Sequence, residues 1–459
     1  MPSKKVNLKQ TFKNSQTLPD FKSETRDSFQ SKLGFILACI GSAVGMGNIW
    51  MFPYRVGQQG GAAFLIPYLL FVIIIGFSGV IGEMAFGRAM KAGPIGAFKK
   101  ATQKYLHNNW GYFLGFIPVF GSLVSAILYS VVVGWIIRFI AFFLAPTITK
   151  IDPSEYFNSI AGNFSNVPSH LIGLLLTLSI MVFGISKGIE NLNKILMPAF
   201  FVLFIILAIR VAFLPNSTNG YIYLFNINWV EFYNPKTWIF ALGQAFFSLS
   251  IAGSGTLIYG SYLKDNVNII SCAKNVVIFD TVAALLAAVT IIPAIFSFGY
   301  DLQSGPALMF IAMPNIFKQM PLGQIFALIF FLAILFAALT SLVNLFETPI
   351  EALQFTFHFS RAKSVTIVFA ISVIVSLFIE NAAILSKWMD ILSIYIIPLG
   401  ALLAGIMFFW LCGSKFARQQ VEKGLKKPLG KWFKPLTKYV FIGLTLIIYI
   451  LGIVLSGIG

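Results

Sequence analysis

The sequence predicts an all-α polytopic membrane protein of eleven transmembrane helices, in which helices 1–5 and 6–10 form two inverted repeats and helices 1 and 6 are broken part-way. Three observations carry this. Of 459 residues, 58% are hydrophobic and only 11% charged, with a mean hydropathy of +0.84, a balance that no water-facing surface around a core of this length accommodates. Apolar runs of roughly 20 residues, enough to cross about 30 Å of hydrocarbon as helix, recur along the whole chain, and the short alternating segments of a membrane β-barrel are absent. Two of those runs are interrupted by glycine and serine clusters lying five helices apart.

The chain divides into a polar segment, 1–32, a core, 33–412, made of the repeats 33–213 and 237–412, and a final part, 413–459, with a basic loop and the last helix. The polar segment carries Lys4, Lys5, Lys9, Lys13, Lys22, Arg26 and Lys32 and no apolar stretch of signal-peptide type, so the amino terminus is expected in the cytoplasm. Hydrophobic runs bounded by turn signals place segments at 33–56, 62–90, 110–145, 168–186, 191–213, 237–263, 268–299, 322–358, 364–380, 384–412 and 437–457. Basic residues test the count. Arg88, Lys91, Lys99, Lys100 and Lys104 follow segment 2, Lys187 and Lys194 bracket the link between segments 4 and 5, Arg361 and Lys363 follow segment 8, and a run from Lys415 to Lys438 follows segment 10. All fall on the side of the amino terminus, which makes the chain a multi-pass protein of the inner (plasma) membrane with its carboxyl terminus outside. The same rule absorbs the net charge of +17, and no nucleic-acid partner is expected. Cys39, Cys272 and Cys412 form no CxxC or Cys/His cluster and read as small packing residues. His107, His170 and His358 fall near helix ends and read as solvated.

The interruptions are Gly41-Ser42-Ala43-Val44-Gly45-Met46-Gly47-Asn48 in segment 1 and Ser248-Leu249-Ser250-Ile251-Ala252-Gly253-Ser254-Gly255 in segment 6. Each glycine weakens a helix by about 1 kcal/mol and frees backbone groups that hydrocarbon cannot satisfy. Close helix packing through small residues explains one such stretch. Two at corresponding places in repeats of five helices, hence entering the membrane from opposite sides, match the discontinuous helices of secondary transporters. An unwound stretch offers N–H groups from one half-helix and C=O groups from the other, a pairing suited to the carboxylate and ammonium of an α-amino acid.

These residues resemble the neurotransmitter:sodium symporter family. The resemblance rests on Gly45-Met46-Gly47-Asn48-Ile49-Trp50-Met51-Phe52-Pro53-Tyr54, Gly60-Gly61-Ala62-Ala63-Phe64-Leu65-Ile66-Pro67-Tyr68, Glu83 with Gly87-Arg88, Gly243-Gln244-Ala245-Phe246-Phe247-Ser248-Leu249-Ser250, and Ala337-Ala338-Leu339-Thr340-Ser341. It spans about residues 26 to 412 in consistent order, and eleven helices resemble the shorter bacterial members with the leucine-transporter-type fold. The resemblance implies sodium-coupled symport of a hydrophobic amino acid into the cell. It sets the substrate carboxylate against the Met46 and Gly47 amides and the Tyr129 hydroxyl, and the ammonium against carbonyls of Ala43, Phe247 and Ser248 and the Ser250 hydroxyl. Gly45 stands where monoamine carriers place an Asp, which points to a substrate with its own carboxylate. Ser125, Phe247, Gly253, Ser341 and Leu345 would line the side-chain end, with Gly253 giving extra room.

Two sodium ions are implied. One would be held by the Ala43 carbonyl, Asn48, Ser248 and Asp280, the other by carbonyls of Gly41, Val44 and Ala337 with the hydroxyls of Thr340 and Ser341. Asp280 is the most informative residue read from chemistry alone, since an unpaired carboxylate inside the membrane costs at least about 3 kcal/mol. Chloride-dependent relatives lack that acid, so chloride independence is expected. For gates the resemblance offers Phe247 with Tyr129 outside, Arg55 in place of the usual Arg (Met51 here) facing Asp390, and, inside, Arg26 and Phe29 with Tyr262 and Glu347; Glu83 is expected to support the break in helix 6. A channel lacks support because no charged or carbonyl ring is present. A sensor that binds an amino acid without moving it is the alternative, and an enzyme finds no HExxH or Ser/His/Asp pattern.

Overall fold

The computed structural model describes residues 27–145, 151–300, 302 and 308–455. Each predicted segment coincides with a helix or a broken pair. The first begins where the Ser31 hydroxyl accepts from the Gly34 amide at 2.9 Å, an N-cap that satisfies one of the four free donors. It consists of α1a, Lys32–Ala43, and α1b, Gly47–Gln58, bent by 50° about an extended Val44. Then come α2 (Ala62–Met90), α3 (Trp110–Leu144), α4 (Val167–Val182) and α5 (Ile185–Ala212). The sixth is again split, into α6a (Pro235–Ser248) and α6b (Gly255–Ser261). It is followed by α7 (Ile269–Phe298), α8 (Gly323–Phe357), α9 (Arg361–Ser376), α10 (Ala382–Leu411) and α11 (Phe433–Leu455).

Two details depart from expectation. The link between α4 and α5 is only Phe183 and Gly184, and residues 187–190, expected as the link, form the first turn of α5. Gly184 at φ +82° makes so short a reversal feasible, because that backbone region is open to glycine at little cost. Second, several connections are helical themselves, among them Pro94–Leu106, Pro153–Ile160, Ser217–Phe225 and Ser414–Glu422.

The helices pack in a repeating pattern. The α3–α8 contact is the most extensive; α4 lies on α9, α3–α4 is matched by α8–α9, α5–α8 by α10–α3, and α1b–α7 by α6b–α2. Exchanging the first five helices with the second five leaves this pattern unchanged, as two structural repeats require. The most apolar stretch of α3 is 67% buried, whereas those of α5 and α11 are 28% and 22% buried, which puts α3 at the centre and the other two at the rim. Phe113, Phe116, Ile195, Phe213 and Val454 are all exposed; such a surface is a liability in water and ordinary against lipid tails.

The end of α2 is tied down by charge. Arg88, buried, donates to the Val267 carbonyl at 2.6 Å and to the Gln420 carbonyl, while Asp265 pairs with Lys91 at 3.3 Å and Lys423 at 3.0 Å. These contacts hold the α6–α7 and α10–α11 connections together. Cys39, Cys272 and Cys412 are buried free thiols, as their apolar neighbourhoods predict.

Candidate functional site

The two breaks meet. At the first, the Gly45 amide donates to Asn48 Oδ1 at 3.2 Å. At the second, Ser250 (φ +52°) and Gly253 (φ +70°) take left-handed backbone, and the Ser250 hydroxyl crosses to the Ser42 carbonyl at 2.8 Å. Glu83 of α2 braces the second break: one oxygen accepts from the Gly253 amide at 2.6 Å and the other from the Thr256 hydroxyl. Donors freed by unwinding thus find an acceptor inside the protein.

Between the breaks and helices α3, α8 and α10 lies a cavity. Of the residues singled out in the sequence, Ala43, Gly45, Gly47, Ser125, Tyr129, Phe247, Ser250, Ser341 and Leu345 line it. Met46, Ser248 and Gly253 do not: Met46 is buried in the core, Ser248 turns to Asp280, and a side chain at Gly253 would strike the Gly400 carbonyl of α10. Gly253 therefore serves close packing instead of enlarging the cavity. Residues the sequence reading missed include Ser42, Ser122, Phe246, Asn344, Ile396 and Ile397. Asn344 follows Ser341 by three positions on α8 and donates to the Gly255 carbonyl at 3.2 Å, a helical spacing that would have found it. No charged side chain among the described residues lines the space.

Beside the cavity, Asn48 Nδ2 lies 2.8 Å from Asp280 Oδ1 and 3.1 Å from Ser248 Oγ, and the Ser248 hydroxyl is 2.9 and 2.8 Å from the two Asp280 oxygens. Tyr68, quoted in a motif but given no role, adds its hydroxyl at 3.1 Å from Ser248 Oγ. Asp280 is fully buried and makes no ion pair among the described residues. The carboxylate and hydroxyl oxygens gathered here are of the kind a hard cation takes, while Asn48 turns its nitrogen to them and its Oδ1 to the Gly45 amide. No group of three or more His, Cys, Asp or Glu able to hold a metal occurs among the described residues.

A second cluster gathers at α8. The Ser341 hydroxyl reaches the Gly41 carbonyl at 2.9 Å and the Val44 carbonyl at 3.2 Å. Thr340 donates to the Ala337 and Phe336 carbonyls of its own helix, both at 3.0 Å, as membrane threonines commonly do. Gly41 faces Thr340 so closely that a side chain there would collide with it.

The gate residues fare unevenly. The Tyr262 hydroxyl donates to Glu347 Oε1 at 2.6 Å, but the cation on Glu347 is Arg361, which grips both oxygens at 3.1 and 2.7 Å and reaches the Met181 carbonyl at 2.6 Å. Arg26 lies outside the described residues. The segment after it is fixed by Asp27, which accepts from the Ile185 amide at 2.6 Å, by Glu190, which accepts from the Gln30 amide at 2.7 Å, and by Phe29, edge-on to Tyr259. The pairing expected between Arg55 and Asp390 is not formed. Arg55 folds onto its own turn, donating to Gln58 at 3.0 Å and lying 4.5 Å over the Phe240 ring, while Asp390 is exposed.

A model of the sodium:neurotransmitter symporter family matches residues 26–160 and 159–457. The chain belongs to this symporter family. An uncharacterised sodium-dependent transporter of Bacillus subtilis, YhdH, is 36% identical over 321 residues, 69% of this chain and 70% of its own length. Another, MJ1319 of Methanocaldococcus jannaschii, is 31% identical over 441 residues, 90% of this chain and 88% of its own. The crystal structure of MhsT in complex with L-phenylalanine superposes with a TM-score of 0.84 at 30% identity, covering 93% of this chain and 99% of that one. As a member of the symporter family the protein is a multi-pass, sodium-coupled carrier of a small molecule, not an enzyme.

Proposed function

We propose that the protein carries a hydrophobic L-α-amino acid, aliphatic or aromatic, into the cell together with two sodium ions and without chloride. The observation that carries this reading is a cavity bounded by two backbone breaks that, among the described residues, is lined by no charged side chain and lies beside a buried carboxylate without a cationic partner. Such a space can satisfy a zwitterion at its backbone end and reject a charged side chain at the other. The L-phenylalanine held by MhsT supports the substrate class.

The carboxylate faces the Gly47 amide with the Tyr129 hydroxyl, and the ammonium faces the carbonyls of Ala43 and Phe247 with the Ser250 hydroxyl, all of residues that line the cavity. One sodium ion takes the Ala43 carbonyl, Asn48, Ser248, Asp280 and the substrate carboxylate; the other takes the carbonyls of Gly41, Val44 and Ala337 with Thr340 and Ser341. Because the substrate is itself a ligand of the first ion, each raises the other's affinity by the same factor. Asp280 supplies in fixed form the negative charge that chloride provides elsewhere. The amino terminus is cytoplasmic and the carboxyl terminus outside, as the basic loops require.

Uptake of labelled Leu, Phe, Trp and Lys into proteoliposomes under an inward sodium gradient tests the proposal, with potassium replacing sodium and gluconate replacing chloride as controls. Accumulation of at least one of the first three, dependent on sodium and indifferent to chloride, is expected. Accumulation of Lys alone, or collapse without chloride, would sink it.

A further inference from the structure

A polar group buried in a membrane bundle ordinarily holds a partner. His170, expected to be solvated, is instead buried and lies 2.8 Å from Ser130 Oγ. The hydroxyls around the cavity divide on the same test. Ser122 donates to the Leu345 carbonyl at 2.8 Å, Ser250 to the Ser42 carbonyl at 2.8 Å, and Ser341 to the Gly41 carbonyl at 2.9 Å. The Ser42 hydroxyl does not follow them. The residue lines the cavity at 5% exposure, and its oxygen meets no hydrogen-bond partner among the described residues. It forgoes even the bond back to its own helix that membrane serines commonly make.

An amide oxygen stands near it. Ser42 lies next to the end of α1a, Gly255 opens α6b and Asn344 belongs to α8, and all three line the cavity. A side-chain carbon added at Gly255 would lie 2.5 Å from Asn344 Oδ1 and 3.4 Å from Ser42 Oγ. Both oxygens therefore border the same bare patch of backbone, and the glycine leaves the space between them open. The orientation of the amide is set by its other end, because Nδ2 donates to the Gly255 carbonyl at 3.2 Å. Oδ1 is left as an acceptor, and a serine hydroxyl can donate as well as accept. This corner of the cavity thus offers one fixed acceptor and one hydroxyl of either sense, beside the apolar Leu345.

Resting on the amino-acid symport reading above, we infer that Ser42 and Asn344 form a polar subsite for the tip of the substrate's side chain, and that the preferred substrate is an aromatic amino acid whose ring carries a hydroxyl. A phenolic O–H donates to Asn344 Oδ1 and accepts from Ser42 Oγ, so one atom satisfies both. An indole N–H satisfies the acceptor alone, and benzyl or aliphatic side chains leave both oxygens unpaired. Leaving buried polar groups unpaired is what lets such a site discriminate between substrates of nearly equal size. The placement agrees with the direction of the substrate. Gly47 and Phe247, set against its backbone, belong to α1b and α6a, whereas the corner is made where α1a and α6b meet α8. A side chain aimed at the corner runs from one pair of half-helices toward the other.

Half-saturating concentrations for sodium-driven uptake of labelled Tyr and Phe in proteoliposomes, with unlabelled 4-fluorophenylalanine as competitor, test this. Tyr should saturate at about tenfold lower concentration than Phe, the worth of one to two neutral hydrogen bonds. The fluoro analogue, similar in size but with no proton to donate, should compete no better than Phe. Ser42→Ala removes an oxygen that holds no bond within the fold and should bring the Tyr-to-Phe ratio most of the way to one, whereas general damage to packing would move both substrates together. Asn344→Leu, which keeps the bulk and removes the acceptor, should turn the preference toward Phe. Equal values for Tyr and Phe in the wild type, a fluoro analogue that matches Tyr, or a ratio unmoved by the variants would overturn the inference and leave sodium-coupled uptake of Phe standing. Sodium-driven uptake of neither Phe, Tyr nor Leu would instead remove the transport reading, and the subsite with it.

Discussion

The proposed cation chemistry concentrates in one side chain, Asp280. Asp280→Asn preserves size and most hydrogen-bonding capacity while removing the charge, and charge-assisted bonds of this kind contribute about 1.5–3 kcal/mol each. The half-saturating sodium concentration for uptake should therefore rise roughly ten- to hundredfold; an unchanged sodium dependence would remove Asp280 from the site. Ser341→Ala leaves the Gly41 and Val44 carbonyls without their shared partner. Sodium-induced thermal stabilisation should shrink in that variant, and full retention would argue that Ser341 only packs. The sequence disclosed Asp280 because a charge in an apolar run is expensive and conspicuous, and Asn48 and Ser248 through the family resemblance. It hid Tyr68, whose one polar atom sits at the tip of an apolar body, whereas Asn344 was legible from its helical spacing to Ser341 and was passed over.

At the level of elements, the break in α6 depends on Glu83 and Gly253 together. Gly253→Ala puts a side chain into left-handed backbone, at a cost of about 1–3 kcal/mol, and against the Gly400 carbonyl as well. A lowered melting temperature with weakened uptake is expected, and a variant as stable as wild type would contradict the close approach to α10. Glu83→Ala should cost about 1–3 kcal/mol by orphaning the Gly253 amide and the Thr256 hydroxyl, visible as a fall in melting temperature that Glu83→Gln partly recovers. Helix positions were legible because an apolar run of membrane length has one low-cost conformation in lipid. The connecting helices were not, since they obey caps and turns instead. Pro153–Ile160 starts where Asp152 accepts from the Ser154 and Glu155 amides, a local signal overshadowed by the hydrophobic runs on either side. That exposed, hydrogen-bonded carboxylate is correspondingly held below its ordinary range, first by the Ser154 hydroxyl and amide.

For the whole molecule, the pairing of Glu347 with Arg361 and Tyr262 joins α8, α9 and the end of α6b. Arg361→Ala leaves a fully buried carboxylate without its cation, a loss of about 3–5 kcal/mol. Part of that should appear as opening: a cysteine introduced at Ser42, in the cavity, should react faster with a water-soluble maleimide. Equal rates would show that the pair only stabilises. This arrangement was hidden in the sequence because Arg361 is close along the chain but reaches Glu347 only after the reversal at His358 (φ +53°). The relation between α2 and the split sixth helix has a further consequence. Ala62–Ile75 packs on α6a and Ile81–Met90 on α6b, the latter so tightly that a side chain at Gly87 or Gly260 would strike the opposite backbone. α2 is thus a splint laid along a fracture, and between its two attachments runs the wide turn Gly76–Val80. A splint of that form transmits motion of one half to the other except at its own joint, so the two halves of α6 are free to change angle only as far as those five residues let α2 bend.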